Sequence, residues 1–237
     1  MKSNYNNIVK EDCFRIIEDN KNILKLLSGK KILITGANGF LMSYLVDVIA
    51  YWNLFFSKKK CEVFALDNSP DFKRLSYLKT RKDIKLIKQD ICNIKRIDKK
   101  IEYIVHGASI ASPSFYRKFP LQTLDANVLG TRKILENIKN NNNFKSFLFL
   151  SSGQVYGNPD LKYIPTPETY NGNVSFTGPR ACYDESKRIG ETICNHAADL
   201  TQASNRAAVD VVKIREVLSQ DRKEMTSLVE QLAEQSK

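Results

Sequence analysis

Five short apolar runs, KILIT (31–35), EVFAL (62–66), IKLI (84–87), EYIVH (102–106) and SFLFL (146–150), are separated by longer stretches whose apolar residues recur at helical spacing. Runs without polar alternation belong to strands buried on both faces. Helical crossovers between such strands then leave a parallel sheet covered on both sides. The fold class expected is α/β, a Rossmann-type doubly wound parallel sheet. Helices are expected over 40–56, near 121–139 and near 183–200. An amphipathic helix from Ile8 to about Leu27 precedes the first strand, so residues 1–29 read as an N-terminal helical extension and 30–196 as one nucleotide-binding domain.

The chain has 237 residues, of which 42% are hydrophobic and 27% charged, the balance of a water-soluble globular protein. No apolar run approaches the ~20 residues that cross a bilayer, so no membrane partner is expected. The opening MKSNYNNIVKEDCF lacks the basic-then-apolar order of a secretory signal, and the expected location is cytoplasmic. Cys13, Cys61, Cys92, Cys182 and Cys194 are scattered, with no CxxC and two histidines in all, so neither a disulfide framework nor a metal site is expected. The formal charge of +11 sits largely on turns and helix flanks such as Lys58-Lys59-Lys60 and Lys99-Lys100. Without interleaved aromatics this is solvated surface charge, and no nucleic-acid partner is expected.

Composition changes near residue 196. Every glycine, proline and aromatic residue lies before it, whereas residues 197–237 are rich in Ala, Gln, Glu, Val and Ser. A stretch without turn residues favours helix. Val211, Ile214, Leu218, Met225, Leu228 and Leu232 follow an a/d-type spacing interrupted at Asp221. That pattern fits a helical tail packing on its own domain or a coiled-coil helix joining a homodimer. Residues 209–215 also read as a candidate sixth strand.

Thr35-Gly36-Ala37-Asn38-Gly39-Phe40 leaves the first strand and opens the first long helix, the place where backbone amides and a positive helix end hold a pyrophosphate. Gly36 permits the tight turn and Gly39 keeps a Cβ away from the phosphates. A third glycine is expected at 42, where Met42 stands; it is expected to push the helix slightly off the sheet. Asp67 ends the second strand, where a carboxylate accepts hydrogen bonds from both ribose hydroxyls and disfavours a 2′-phosphate, which favours NAD, while Lys73 and Arg74 a few residues on leave NADP open. A turn-forming Asp before Asn68 is the lesser alternative. Asp90-Ile91, after the third strand, are candidates for the adenine edge.

Ser151-Ser152-Gly153 closes a buried strand, and Tyr183-Asp184-Glu185-Ser186-Lys187 opens a helix. Spacing i, i+4 puts Tyr183 and Lys187 on one helix face, ammonium near phenol. A neighbouring cation and a positively charged nicotinamide ring favour phenolate, which makes tyrosine a usable base near neutral pH. Ser152 supplies a hydroxyl to orient an alcohol and share its proton.

With TGANGF (35–40), Asp67, HGASIASPSFY (106–116), DANVLGT (125–131), SSGQVYG (151–157) and GPRACYDESKRIGET (178–192), residues 30–196 resemble the extended short-chain dehydrogenase/reductase family, the NAD-dependent nucleotide-sugar epimerases, dehydratases and decarboxylases. ASPSFY and the last string look most like the UDP-glucuronate decarboxylases, with the sugar-nucleotide 4,6-dehydratases next. The resemblance implies bound NAD that oxidises a sugar C4 hydroxyl, ketone-assisted chemistry beside it, and return of the hydride. It implies Ser152, Tyr183 and Lys187 as catalytic residues, Lys187 also on the nicotinamide ribose. Gly36, Asn38, Gly39, Phe40, Asp67, Asp90, Ile91, Ala108 and Ser109 are implied as cofactor contacts, and Asn127 as a helix Asn of structural weight. Tyr116 either reaches the sugar or fills its loop. His106, matching a strand-end histidine, is expected to be structural.

Two departures qualify the activity. The family carries an acidic residue before VYG where this chain has Gln154, which can meet the substrate but cannot exchange a proton. Losing general acid/base help slows elimination or decarboxylation by ~10²-fold or more. The family also continues into a second domain that grips the nucleotide-sugar, and no Arg-Pro or Gly-Pro-Gly stretch follows 209–215 here, so that half is expected to be missing. The expected function is therefore NAD-dependent modification of a UDP-glucuronate-like sugar nucleotide, or the cofactor-binding half of that activity. A sugar-nucleotide 4,6-dehydratase or 4-epimerase, or a non-catalytic NAD-binding protein assembled through its tail, are the alternatives.

Overall fold

The structure is a computed structural model that describes residues 2–200. The tail expectations that fall on 201–237, the heptad helix and the strand at 209–215, lie outside the described residues.

Strands β1 (Lys31–Thr35), β2 (Glu62–Asp67), β3 (Ile84–Lys88), β4 (Tyr103–His106) and β5 (Ser146–Phe149) form one sheet in the order β3-β2-β1-β4-β5. All four pairings are parallel. The order reverses between β1 and β4, which makes their carboxyl ends the topological switch point of the sheet. Alternate residues of β1 explain the two covered faces: Ile32 and Ile34 enter the core beneath helix α3 (Phe40–Phe55), with Val46 and Ile49. Leu33 enters the opposite core with Ile104, Phe64 and the Ile134 and Ile138 side chains of α6 (Leu129–Ile138). Each such side chain fully withdrawn from water contributes about 1.5–3 kcal/mol.

The leading helical segment is two helices, α1 (Lys2–Asp19) and α2 (Lys21–Leu26). The break falls at Asn20, whose side-chain amide donates to the Ile16 carbonyl at 2.9 Å. Val9, Cys13, Ile17 and Leu24 bury against Val48 and Trp52 of α3, so the extension packs on the domain. The helix expected near 121–139 is likewise divided, into α5 (Pro120–Asn127) and α6, preceded by a short α4 (Pro113–Lys118). There the Thr131 hydroxyl takes the Asn127 carbonyl at 2.5 Å, a side-chain bond that competes with the helix ladder. Helix α7 (Ala181–Leu200) closes the described chain against β5 and α5.

Met42 sits where a third glycine was expected, and the structure corrects the consequence drawn from it. The room for its side chain comes from β4's end: a Cβ on Gly107 would lie 2.6 Å from Met42 Cγ. Met42 is buried in the core beneath α3, whose inner face stays packed through Val46 and Ile49.

Asp47 is a buried carboxylate on α3 that receives the Tyr77 hydroxyl, and burial pushes it up to about 6. Its folded value exceeds the unfolded one, so the folded state binds the extra proton between about 4 and 6, and stability falls as pH rises through that window. Asp47→Asn keeps an acceptor for Tyr77 and removes the charge. It is expected to exceed the parent in stability by about 1–3 kcal/mol at pH 7.5 and to lose that advantage by pH 4. Thermal unfolding at both pH values checks this; an equal gap at both would refute it.

Candidate functional site

Two loops meet at the carboxyl ends of β1 and β4. Gly36, directly after β1, has φ +67°, and a Cβ there would meet the Gly107 carbonyl oxygen at 2.7 Å and the Ala108 nitrogen at 2.8 Å. Both the backbone conformation and the close approach of the β4 loop therefore demand glycine. Gly39 caps α3, is exposed, and its Cβ position meets only the Gly36 carbonyl, at 3.0 Å. Phe40 opens α3 with its ring 62% exposed and the Arg74 guanidinium 5.5 Å above it.

Asp67 faces this turn from the end of β2. One carboxylate oxygen accepts the Asn38 amide at 2.9 Å and the other accepts the Ser69 amide at 2.8 Å. The turn role and the binding role coexist, because each oxygen keeps a lone pair for a further donor. Asn38 is engaged on both sides: its side chain donates to Ser69 Oγ at 3.1 Å and accepts the Arg74 amide at 3.1 Å. It ties the two loops together, and its contribution is to their shape. Asp90 is exposed and accepts the Cys92 amide at 2.9 Å, capping a short turn, while Ile91 is buried in the core under α6. The Ala108 amide donates to Thr35 Oγ1 at 3.2 Å, and the Ser109 hydroxyl is buried with no hydrogen-bond partner among the described residues.

Ser152, Tyr183 and Lys187 come together at the carboxyl end of β5. Ser152, half-buried, lies beside the Tyr183 phenol, and its Oγ accepts the Gln154 amide at 3.3 Å. Tyr183 and Lys187 are both buried, 8% and 3% exposed, so neither is the solvated surface pair that an i, i+4 spacing usually makes. The Lys187 ammonium donates to the Leu150 carbonyl at 2.7 Å and lies 4.8 Å from the Phe149 ring centre and 5.9 Å from that of Tyr183. Burial lowers it to about 8. It has two further protons to give.

The phenol departs from the expectation. Burial pushes Tyr183 above the ordinary tyrosine value; the Ser152 hydroxyl pulls down, while Asp184 and Tyr116 push up. Position beside Lys187 alone therefore does not make this tyrosine a base. Tyr116 is buried and stacks on Tyr183, centroids 5.2 Å apart at 14°, so its ring packs against the phenol. Gln154 is half-buried in the short turn Gly153–Tyr156 after Ser152. His106 is buried between two threonines. Sequence reading missed Phe149 and Leu150 as partners of the ammonium, and Thr35 and Ser186 as buried links. The last two had a signal, since each is a small hydroxyl residue inside a motif already singled out.

The profile of the NAD dependent epimerase/dehydratase family matches residues 32–231. The chain is 35% identical over 176 residues to UDP-glucuronic acid decarboxylase 5 of Arabidopsis thaliana, covering 70% of this chain and 46% of that protein. UDP-glucuronic acid decarboxylase 1 of Xenopus tropicalis is 35% identical over 70% of this chain and 37% of its own length. The chain thus spans less than half the length of these curated relatives. Among solved structures, UDP-N-acetylglucosamine 4-epimerase from Methanobrevibacter ruminantium superposes with a TM-score of 0.57 at 25% identity, over 73% of this chain and 52% of that one. UDP-glucuronic acid 4-epimerase from Bacillus cereus, in complex with NAD, has the same fold, with a TM-score of 0.56 at 22% identity over 72% and 52% of the two chains. Among the described residues no helix is long and apolar enough to cross a membrane.

Lys187 yields a stability test. Its folded value is depressed, so the folded state binds fewer protons than the unfolded one between about 8 and 10.5, and stability rises with pH across that window. Lys187→Met has no charge to bury. The stability of this variant relative to the parent is expected to fall by about 2 kcal/mol between pH 7 and pH 9.5. Thermal or denaturant unfolding of both proteins reads it, and a difference constant with pH would contradict the burial argument.

Proposed function

Because this chain belongs to the NAD dependent epimerase/dehydratase family, we propose that it binds NAD at the carboxyl edge of its sheet and acts on the C4 hydroxyl of a UDP-glucuronate-like sugar nucleotide. The observation that carries the reading is the buried cluster of Ser152, Tyr183 and Lys187 at the end of β5, on the same edge as the glycine turn.

The residues present fit a dinucleotide. The Gly36–Gly39 turn offers backbone amides at the start of α3, and Asp67 keeps free lone pairs for ribose hydroxyls. The buried Ser109 hydroxyl lacks a partner among the described residues, and Lys187 has spare ammonium protons for the nicotinamide ribose. Gly36, Asn38, Gly39 and Phe40 form the phosphate turn, Asp67 holds the adenosine ribose, Asp90 and Ile91 border the adenine, and Ala108 and Ser109 flank the nicotinamide side. NAD, when bound, supplies the acceptor for the C4 hydride and its later donor.

Tyr183 takes the C4 hydroxyl proton, and Ser152, beside the phenol, orients that hydroxyl. Lys187 holds charge beside the phenol as the proton moves. With C4 oxidised, UDP-glucuronate would be a β-keto acid: the C6 carboxylate would leave as CO2, the C5 enolate left behind would take a proton from water, and return of the hydride to C4 would give the pentose product. Gln154 supports a second reading. An amide cannot deliver a proton, whereas oxidation and re-reduction at C4 need none from that position, so 4-epimerisation is the alternative outcome.

Incubation of the purified protein with NAD and UDP-glucuronate decides among these. Retained NAD with UDP-xylose supports decarboxylation, UDP-galacturonate supports epimerisation, and NAD retained without product supports a binding protein. No retained NAD rejects the proposal. Tyr183→Phe is expected to keep NAD and lower turnover by about 10²-fold or more. Asp67→Ala is expected to weaken NAD on the order of 10–100-fold while weakening NADP less, because two charge-assisted hydrogen bonds are lost; titration calorimetry with both dinucleotides separates the two.

A further inference from the structure

Beneath the site, a line of buried hydrogen bonds runs from the phosphate turn to the tyrosine helix. The Ala108 amide donates to Thr35 Oγ1 at 3.2 Å, and Thr35 Oγ1 lies 2.7 Å from His106 Nδ1. On the other side of the ring, His106 Nε2 lies 3.0 Å from Thr131 Oγ1, which donates to the Asn127 carbonyl at 2.5 Å. Asn127 Nδ2 donates to Ser186 Oγ at 2.9 Å, and that hydroxyl donates to the Tyr183 carbonyl at 2.9 Å. Thr35, His106, Asn127, Thr131 and Ser186 are each no more than 1% exposed.

The proton order in this line follows from counting. A hydroxyl carries one proton, and the Asn127 carbonyl can only accept, so the Thr131 proton is committed to it. Thr131 Oγ1 must then accept from the ring, which places a hydrogen on His106 Nε2. A neutral ring with its hydrogen on Nε2 has a bare Nδ1, and Thr35 Oγ1, which accepts from the Ala108 amide, gives its own proton to it. A second proton on the ring would turn the Thr35 hydroxyl from donor to acceptor and leave its own proton with no acceptor among the described residues. The surroundings agree: the rings of Phe147 and Phe149 lie 6.0 and 5.8 Å away, and burial, helped by the Lys187 charge, lowers His106 to about 3.

We infer that His106 is a positioning residue, locked as the neutral Nε2–H tautomer, that holds the end of β1 and the first turn of the tyrosine helix in one register. This rests on the reading of Tyr183 as the base. A positively charged or reversed ring would break one half of the line and release either Thr35 or Asn127.

The chain has two histidines, so His196→Asn leaves one ring to observe. In that background, long-range 1H–15N correlation on histidine-labelled protein is expected to give a protonated Nε2 and a bare Nδ1, unchanged from pH 5 to pH 8. Thr131→Val removes the acceptor of Nε2–H and is expected to shift the ring toward Nδ1–H donated to Thr35. His106→Phe keeps the ring packing and deletes both bonds. It is expected to lower kcat about ten- to hundred-fold with KM within about threefold; if it does not fold, Thr131→Val carries the kinetic comparison. An imidazolium or an Nδ1–H ring in the parent, an unmoved tautomer in Thr131→Val, or parental kcat in the folded variant overturns the inference. Turnover surviving in Tyr183→Phe, with the histidine resonances as expected, would instead sink the base assignment alone.

Discussion

A single ammonium group organises the site. Lys187 is held 3% exposed against the end of β5, bonded to the Leu150 carbonyl and set over the Phe149 ring. A charge placed there is costly unless paired and hydrogen-bonded, so the arrangement is stable only because β5 ends where its carbonyl is free to accept. The strand that supplies the carbonyl also leads directly to Ser152, and the helix that supplies the lysine carries Tyr183 one turn earlier. Parallel pairing then guarantees that this cluster and the glycine turn share one edge, since every strand runs the same way.

Much of this was legible before any coordinates. The five strands begin and end within one residue of the apolar runs, because continuous β-branched and aromatic stretches bounded by turn residues permit little else. The breaks at Asn20 and around Val128 were not legible, since both arise from side chains competing for helix carbonyls without a change in apolar period. Within the site, the spacing of Tyr183 and Lys187 announced their common face. It did not announce the direction of the phenol's acidity, which depends on how much water and which neighbours remain around the ring. Phe149 and Thr35 were invisible as partners because sequence distance says nothing about which strand end lies under which helix.

The two halves of the fold differ in how tightly they are tied. On the nucleotide side, Asn38, Asp67, Ser69 and Arg74 form a small net of side-chain and backbone bonds that shapes the loops. On the tyrosine side, the ordering groups are buried threonines, a histidine and an asparagine, all out of reach of solvent. The surface net can adjust to a ligand at small cost, whereas the buried line cannot be half-formed without leaving polar groups unmet.

Met42 and Gly107 have a consequence for how such chains vary. The thioether fills space that exists only because Gly107, the residue just after β4, has no side chain. Neither position is interpretable separately: glycine at both would leave a void, and side chains at both would collide. Variation at one should track variation at the other, and the pair is the natural unit for anyone redesigning how the first helix seats on this sheet.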